Sequence, residues 1–378
     1  MVKIKLGDVI DFKNGKSIKK SDGNIPIYGG NGILGYTDKS NFSHTIVVGR
    51  VGAYCGSIHV EENLCWVSDN AIAGIPKEGQ DLTYLYYVLK SLNLNSKQIG
   101  SSQPLITQSM LKDMVVDVEI DNEKQKRIAK SILIIDQKIQ INNQINQELE
   151  AMAKTLYDYR FVQFDFPDQN GKPYKSSGGK MVYHPELKRE IPEGWGVEKL
   201  ENVANITMGQ SPKGSSYNEA GEGIMFFQGS TDFGWRFPIA RQYTTEPSRI
   251  AEEDDILLSV RAPVGTLNIA DTRCCIGRGL AAINSKIGAN SYIFNVMQDF
   301  KKLFDLRNSV GTTFGSITKD DLYNLKIIYP PNELLMNFDQ LVKSFDREIK
   351  NRSRQNQELT QLRDWLLPML MNGQVKVE

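Results

Sequence analysis

The chain has 378 residues, 40% of them hydrophobic, and its 45 basic and 45 acidic side chains leave a formal charge of zero. That length can bury two ordinary cores, and the balance of charge excludes a generic polyanion binder without excluding a local patch for phosphate contacts. Residues 1–8 lack the apolar stretch of a signal peptide and no run of 18 apolar residues occurs, so a soluble, cytoplasmic protein is expected, its four cysteines reduced and in the core.

In chain order, Leu6-Gly7-Asp8-Val9 and Asn14-Gly15-Lys16-Ser17 come first, followed by short apolar runs punctuated by glycine. Thr45-Ile46-Val47-Val48 and Ser57-Ile58-His59-Val60 read as strands between turns. From Asn122 the period changes. Ile128, Ile132, Ile135, Ile139, Ile145, Leu149, Met152, Leu156 and Tyr159 fall mostly in steps of three and four, which predicts an amphipathic helix of about 40 residues and about 60 Å. Residues 169–179, rich in Gly, Ser and Lys, then read as a flexible connector.

The chain then repeats itself. Leu200-Glu201-Asn202-Val203 and Met208-Gly209-Gln210-Ser211 return the opening motif at an offset of 194. Gly56-Ser57-Ile58 through Cys65 returns as Gly265-Thr266-Leu267 through Cys274 at 209, and Asn146-Gln147-Glu148-Leu149 as Asn356-Gln357-Glu358-Leu359 at 210. Ile256-Leu257-Leu258-Ser259-Val260 and Leu325-Lys326-Ile327-Ile328-Tyr329 read as strands of the second copy. After Pro330-Pro331 a second long helix carries Phe338, Leu341, Phe345, Ile349, Leu359, Leu362, Leu366 and Met369. From Leu6 to Gly100 the first copy is 17 residues shorter than the second from Leu200 to Gly311.

Helices of such length need a partner. Each stripe has a polar centre, Asn142 and Asn146 in the first and Arg352 and Gln355 in the second, which in a coiled-coil seam costs stability but fixes register. Pairing of the two helices with each other is the expected arrangement, against the alternative of each packing on its own globular region.

The loop Tyr28-Gly29-Gly30-Asn31-Gly32-Ile33-Leu34-Gly35-Tyr36, the turns Val48-Gly49-Arg50-Val51-Gly52 and Val260-Arg261-Ala262-Pro263-Val264-Gly265, the entry Ile191-Pro192-Glu193-Gly194-Trp195 and the helices bearing Asn-Gln-Glu-Leu resemble the specificity subunit of Type I restriction-modification systems. The resemblance covers essentially the whole chain. It implies an α+β fold, with two pseudo-symmetric, β-rich target-recognition domains separated by two long helices paired as an antiparallel coiled coil. The domains would be residues 1–120 and 193–331, the spacer helices 121–161 and 332–371, the linker 162–192 and the tail 372–378. It also implies a non-catalytic subunit that reads one half of a bipartite double-stranded DNA site with each domain, sets the spacing with its helices and docks two methyltransferase (modification) subunits, with restriction subunits in the full complex. S-adenosylmethionine would belong to the methyltransferase, and ATP and magnesium to the restriction subunit. The strong divergence of residues 15–45 from 209–254 predicts an asymmetric DNA site.

Candidate DNA contacts follow residue by residue. Arg50 and Arg261 stand at positions equivalent after a two-residue gap, and either read guanine, as arginine commonly does, or pair with a core-edge carboxylate. Lys13, Lys16, Lys19 and Lys20 form a basic loop suited to phosphate, or a solvated run. Gln210, Ser211, Lys213, Gln228, Ser230 and Arg236 offer amide, hydroxyl and charged groups for base readout, phosphate contact or turn chemistry. Ser68-Asp69-Asn70 and its counterpart Gly277-Arg278-Gly279, which offer Asn70 and Arg278, differ chemically at matched positions. Ile135, Ile139, Leu149, Met152 and Leu156 with Phe345, Ile349, Leu359, Leu362 and Leu366 are the candidate coiled-coil and partner residues.

Three other patterns are weaker. Gly30-Asn31-Gly32-Ile33-Leu34-Gly35 fits G-x-G-x-x-G but is followed by turn residues where a dinucleotide site needs a helix. Cys55, His59 and Cys65 could ligate zinc, yet only Cys65 has a counterpart in the second copy. Asp168, Glu186 and Lys188 have the spacing of a metal-dependent nuclease motif but flank the connector, where that motif needs a strand framework. They carry the alternative reading, a self-contained metal-dependent nuclease or a fused modification enzyme.

Overall fold

The computed structural model describes residues 1–97, 104–309, 316–375 and residue 377; Gly100 and Gly311, on which the length comparison of the two copies rests, lie outside them. The chain forms two compact units, unit 1 from Met1–Asn143 and Arg354–Glu378, unit 2 from Gln144–Ser353.

Unit 1 begins β1 (Val2–Lys5), α1 (Leu6–Val9), β2 (Ile10–Asn14), β3 (Ile25–Gly29), β4 (Gly32–Thr37), β5 (Phe42–Gly49), β6 (Ile58–Val67) and β7 (Ala71–Pro76). It continues through α2 (Leu82–Ser91), α3 (Gln108–Asp113), β8 (Val115–Val118) and the start of α4 (Asn122–Tyr157). One six-stranded sheet has the order β2-β7-β5-β6-β3-β4, and β1 pairs antiparallel with β8. Ile46, Val48 and Ile72 bury one side of the sheet against Leu85, Leu89, Ile128 and Ile132 of the helices. Asp81 caps α2 by accepting from Tyr84 N (2.8 Å), and Asp121 starts α4 by accepting from Glu123 N (2.9 Å), the acidic N-cap chemistry that satisfies otherwise unpaired amides.

Unit 2 takes up the rest of α4 and then β9 (Met181–His184), β10 (Arg189–Pro192), β11 (Gly196–Lys199), α5 (Leu200–Val203), β12 (Ala204–Met208), β13 (Tyr217–Asn218), β14 (Ile224–Phe227), β15 (Tyr243–Thr244) and β16 (Ile250–Ala251). There follow β17 (Ile256–Ser259), β18 (Leu267–Ile269), β19 (Cys274–Ile276), β20 (Leu280–Ser285), α6 (Asn290–Ser309), α7 (Lys319–Tyr323), β21 (Lys326–Tyr329) and α8 (Asn332–Met371), the last continuing into unit 1. Here the strands divide into a sheet β12-β20-β17-β18 and another β13-β15-β14-β19-β16. All four strands read from the sequence are present as β5, β6, β17 and β21, with Ser57, Val260 and Leu325 each just outside the observed strand.

The duplication is visible bond by bond. The N–H of Leu6 donates to Met114 O and that of Leu200 to Leu325 O, each at 2.8 Å, so the repeated Leu-x-x-Val motif is one short helix fed by a strand pair in both copies. The parallel pairing of Ile27 with Trp66 is matched by Phe226 with Cys275.

The long helices pair antiparallel within each unit. In unit 1 Asp136 meets Arg363 (3.0 Å), while Asn142 Nδ2 donates to Gln355 Oε1 and Asn356 Oδ1 (2.8 Å each). In unit 2 Asn146 Nδ2 donates to Ser353 Oγ at 3.4 Å. Partner numbers fall as helix numbers rise. The seam differs from the expected stripe at Met152 and Leu362, which are 51% and 43% exposed; Ala153 is buried in place of the first, and Arg363 lies beside the second in the pairing. A strict alternation of three and four from Ile132 passes through Ile135, Ile139, Asn142, Asn146, Leu149 and Ala153, so asparagines hold the middle positions and following the apolar residues alone slips the phase by one. Asn142 and Asn146 are buried, and neither Oδ1 finds a hydrogen-bond partner among the described residues. An unsatisfied buried polar atom costs about 1–3 kcal/mol. Asn142→Leu with Asn146→Leu is therefore expected to raise the melting temperature while admitting shifted registers, which single-cysteine cross-linking along the two helices would show as mixed products. A lower melting temperature would contradict it.

The connector is not the flexible segment its composition suggests. Phe164 and Phe166 are buried, Phe166 stacks on Tyr174 (4.6 Å) and Trp195 (5.0 Å), and Asp165 accepts from Ser176 N at 2.7 Å. The strands β9 and β10 form a hairpin beyond it. Aromatic burial outweighs the glycine and serine content.

Candidate nucleic-acid interface

In each copy four chain segments meet at one end of the sheet, and the same backbone bonds hold them. In the first, Gly15 N donates to Ala71 O (3.1 Å), Lys16 N to Val67 O (3.0 Å), Arg50 N to Asn70 O (2.9 Å) and Ile106 N to Arg50 O (3.0 Å). In the second, Gly209 N donates to Leu280 O (2.9 Å), Gln210 N to Ile276 O (3.0 Å), Val260 N to Gly279 O (2.9 Å) and Ile317 N to Val260 O (2.9 Å). Position by position, Asn70 thus corresponds to Gly279 and Asp69 to Arg278.

This pattern corrects the matching of the two arginines. Arg50 corresponds to Val260, and Arg261 to Val51: the bridge of Val51 with Leu105 is repeated by Arg261 with Ser316. A gapped sequence comparison aligns the guanidinium groups because they are alike, whereas the hydrogen bonds put them one residue apart.

The junctions exist because two glycines permit them. A Cβ on Gly15 would stand 1.9 Å from Ser68 O, and one on Gly209 2.1 Å from Gly277 O. Only a residue without a side chain lets the strand end lie against the turn. Gly15→Ala and Gly209→Ala are each expected to force the turn away, at about 1–3 kcal/mol of overpacking, and to weaken DNA binding through the altered copy. Unchanged melting and DNA titration curves would show the contact to be dispensable.

Several of the other candidates lie around these junctions. Lys13 is exposed on β2, and Lys16, Lys19 and Lys20 follow it along the chain, with Lys16 O accepting from Trp66 Nε1 (2.6 Å). Ser211 Oγ donates to Gln228 Oε1 (2.9 Å), and Gly279 N to Gln228 O (3.1 Å), so Gln210, Ser211 and Gln228 sit with Arg278. Ser230 is half-buried at the start of a short turn of helix, and Lys213 pairs with Glu246 at 3.7 Å.

Arg236 belongs elsewhere. It is 6% exposed, pairs with Glu150 (3.2 Å) and Asp346 (2.5 Å), and lies over the Phe294 ring at 4.1 Å. Its place is a buried junction of the second copy with both long helices of unit 2, not a base-reading surface; adjacent Trp235 is exposed, and position in a polar loop alone does not separate the two. Burial pushes the Asp346 carboxyl above its usual range, with Arg236 opposing.

Gln108 and Lys319 do not stand out in the sequence. They occupy matched positions after the N-cap residues Thr107 and Thr318, which accept from Met110 N and Asp321 N (3.2 Å each). With its amide oriented to satisfy its neighbours, Gln108 donates to Phe12 O (3.0 Å) and accepts from Asn14 N (2.7 Å). The signal for them is the repeated pair Ile106-Thr107 and Ile317-Thr318, too short to be noticed alone.

The weaker patterns resolve structurally. Gly30 and Gly32 lie at the hairpin turn of β3 and β4. Cys55 and Cys65 are buried, burial pushing the Cys65 thiol up to about 12, and Cys55 Sγ donates to Arg50 O. Asp168 accepts from Asn170 N and Lys172 N within its own turn (2.8 Å each), and Glu186 pairs with Lys326 (2.6 Å). Among the described residues no group of His, Cys, Asp and Glu is arranged to hold a metal ion, and no helix is long and apolar enough to cross a membrane.

The fold and its matched junctions define a duplicated reader, two related surfaces joined to long paired helices. Residues 1–151 and 192–361 each match the Type I restriction modification DNA specificity domain. The chain is 33% identical over 308 residues to a protein of Methanocaldococcus jannaschii assigned as the MjaX type I restriction enzyme specificity subunit, covering 78% of this chain and 68% of that one. It is 28% identical over 324 residues to the MjaIX specificity subunit of the same organism, covering 80% and 71%. The crystal structure of the S subunit of a Type I restriction-modification system from M. genitalium shares the fold, with a TM-score of 0.63 at 19% identity over 98% of this chain and 96% of that one. The chain belongs to the Type I restriction-modification specificity-subunit family.

Proposed function

We propose that the chain confers DNA sequence specificity on a Type I restriction-modification complex, residues 1–120 and 193–331 each reading one half of a bipartite, asymmetric site. The helices 121–161 and 332–371 set the distance between half-sites and dock two modification subunits; 162–192 is the linker and 372–378 the tail. The chain contributes recognition and no catalysis. S-adenosylmethionine enters with the modification subunits, ATP and magnesium with the restriction subunits, and the complex works in the cytoplasm on double-stranded DNA.

The observation that carries this reading is the pair of junctions built by the same backbone bonds but bearing different side chains, Asn14, Arg50, Asp69 and Asn70 in one and Gln210, Arg261 and Arg278 in the other. Matched frames with unlike chemistry suit two unlike half-sites, whose major-groove edges present different donors and acceptors. Two readers on a spacer also suit half-sites about one helical turn apart. Mapping methylated bases in the host genome with and without this chain tests it. A bipartite motif with two different halves, lost on deletion, is expected; identical halves would remove the asymmetry, and an unchanged methylation map would remove the function. Magnesium-dependent cleavage by the pure chain, abolished by Glu186→Ala, would favour the nuclease reading.

A further inference from the structure

We infer that the junction of the second copy holds a phosphate-binding subsite that the first copy lacks, so that one half of the DNA site is clamped by charge and the other is not. The inference rests on the reading of the chain as a DNA reader and names the chemical group taken at one of its surfaces.

Arg261, Arg278 and Lys319 line one cavity of about 400 Å³, together with Met208, Val260, Ser316, Ile317 and Thr318. Three cations come from three separate segments, the turn after β17, the turn between β19 and β20, and the start of α7. No carboxylate lines the cavity, and among the described residues none forms an ion pair with Arg261, Arg278 or Lys319. Two other cations of unit 2 are matched by carboxylates, the buried Arg236 by Glu150 and Asp346 and the half-buried Lys350 by Glu253, Asp254 and Asp271, whereas Arg261, Arg278 and Lys319 are exposed at the mouth of the cavity. Of the nearby acids, Asp321 is engaged by the Thr318 N–H and hydroxyl (3.0 and 2.6 Å). Concentrated, uncompensated positive charge in a concave site is complementary to an anion.

The guanidinium groups match phosphate oxygens in planar pairs, and lysine adds a point charge.

The corresponding place in the first copy is built differently. There the matched residues are Val51, Asp69 and Gln108, an apolar side chain, a carboxylate and an amide held by Phe12 and Asn14. Asp69 repels a phosphate where Arg278 would attract one. Phosphate contacts position a protein without specifying sequence, so the second copy supplies salt-sensitive grip, and the first depends on neutral and acceptor groups.

The test uses the full-length chain and a duplex carrying the site recovered from methylation mapping. Replacing single phosphates by neutral methylphosphonates in the half-site of the second copy should weaken wild-type binding about tenfold at one or two positions, and corresponding replacements in the other half-site should not. Lys319→Gln and Arg278→Gln should each lower the slope of log K against log salt by about 1, weaken all sequences alike, and lose their sensitivity to the same methylphosphonates. Relaxed preference at one base pair with an unchanged slope would overturn the inference by making this a base-reading pocket. Equal methylphosphonate sensitivity in both half-sites, or none in a chain that still prefers its site, would overturn it as well while leaving the DNA-reading function intact. A wild-type chain with no preference for the site would instead remove that function, and the subsite with it. The phosphate replacements act on unaltered protein, so a misfolded variant does not blunt the result.

Discussion

Arg236→Met is expected to destabilise unit 2 by about 3 kcal/mol, the lower end of what breaking a buried ion pair costs. The guanidinium is 6% exposed and joins Glu150 of α4 to Asp346 of α8. Methionine conserves the apolar length over Phe294 but leaves two carboxylates near each other without a counter-charge. Both are partly open to water, which relieves some of the penalty and sets the estimate at the low end. Because Ile269 N also donates to Arg236 O (2.9 Å), the residue ties β18 to the helices. Denaturant titration gives the energy. Binding to duplexes altered in one half-site at a time gives the functional effect, which should fall on the half read by the second copy. Stability within about 0.5 kcal/mol of wild type, the range of an ordinary surface substitution, would show that the junction is incidental.

The counterpart in the first copy is Asp136, at the helix position that the offset of 210 matches to Asp346. It accepts from Tyr87 Oη (2.9 Å) and Arg363 (3.0 Å) and pairs with Lys90 at 3.5 Å. Burial works to raise its pKa, but the hydrogen bond from Arg363, the Lys90 charge and the Tyr87 hydroxyl outweigh it and hold the carboxyl below its usual range. Asp136→Ala is expected to cost about 2–3 kcal/mol, less than a fully buried pair because Asp136 and Arg363 keep some solvent and Arg363 retains Asp364. The sign of the pH dependence follows from the lowered value. The unfolded chain takes up the proton first, so the stabilisation is complete above the ordinary aspartate range and is lost as pH falls through the lower folded value. Wild-type unit 1 should therefore lose stability in acid more steeply than Asp136→Asn. Parallel pH profiles for the two proteins would contradict this.

Together the two aspartates form one device built twice from different parts. In each copy a carboxylate at the same helix position receives cations or hydroxyls from its own globular region, and an arginine completes the link to the other long helix: Arg363, from that helix itself, in the first, and Arg236, from the globular region, in the second. The offset aligns the aspartates, but nothing in the sequence tells that Arg236 rather than Arg241 or Arg249 would reach Asp346.

What the sequence determined by itself is what repeats or recurs at short range: the duplication, the strands β5, β6, β17 and β21, the two long helices, and the polar centre of their seam. These are local patterns, since alternation and the three-four spacing arise from the geometry of a single element. The tertiary structure alone decided how the seam runs on past that polar centre, burying Ala153 where Met152 was expected and leaving Leu362 exposed beside Arg363. It decided that the aromatic connector is folded, that Arg50 answers to Val260, and that Lys319 joins Arg261 and Arg278. Each of these depends on pairing between residues far apart in the chain, where a hydrogen bond or a shared cavity, and not the identity of a side chain, establishes which positions meet.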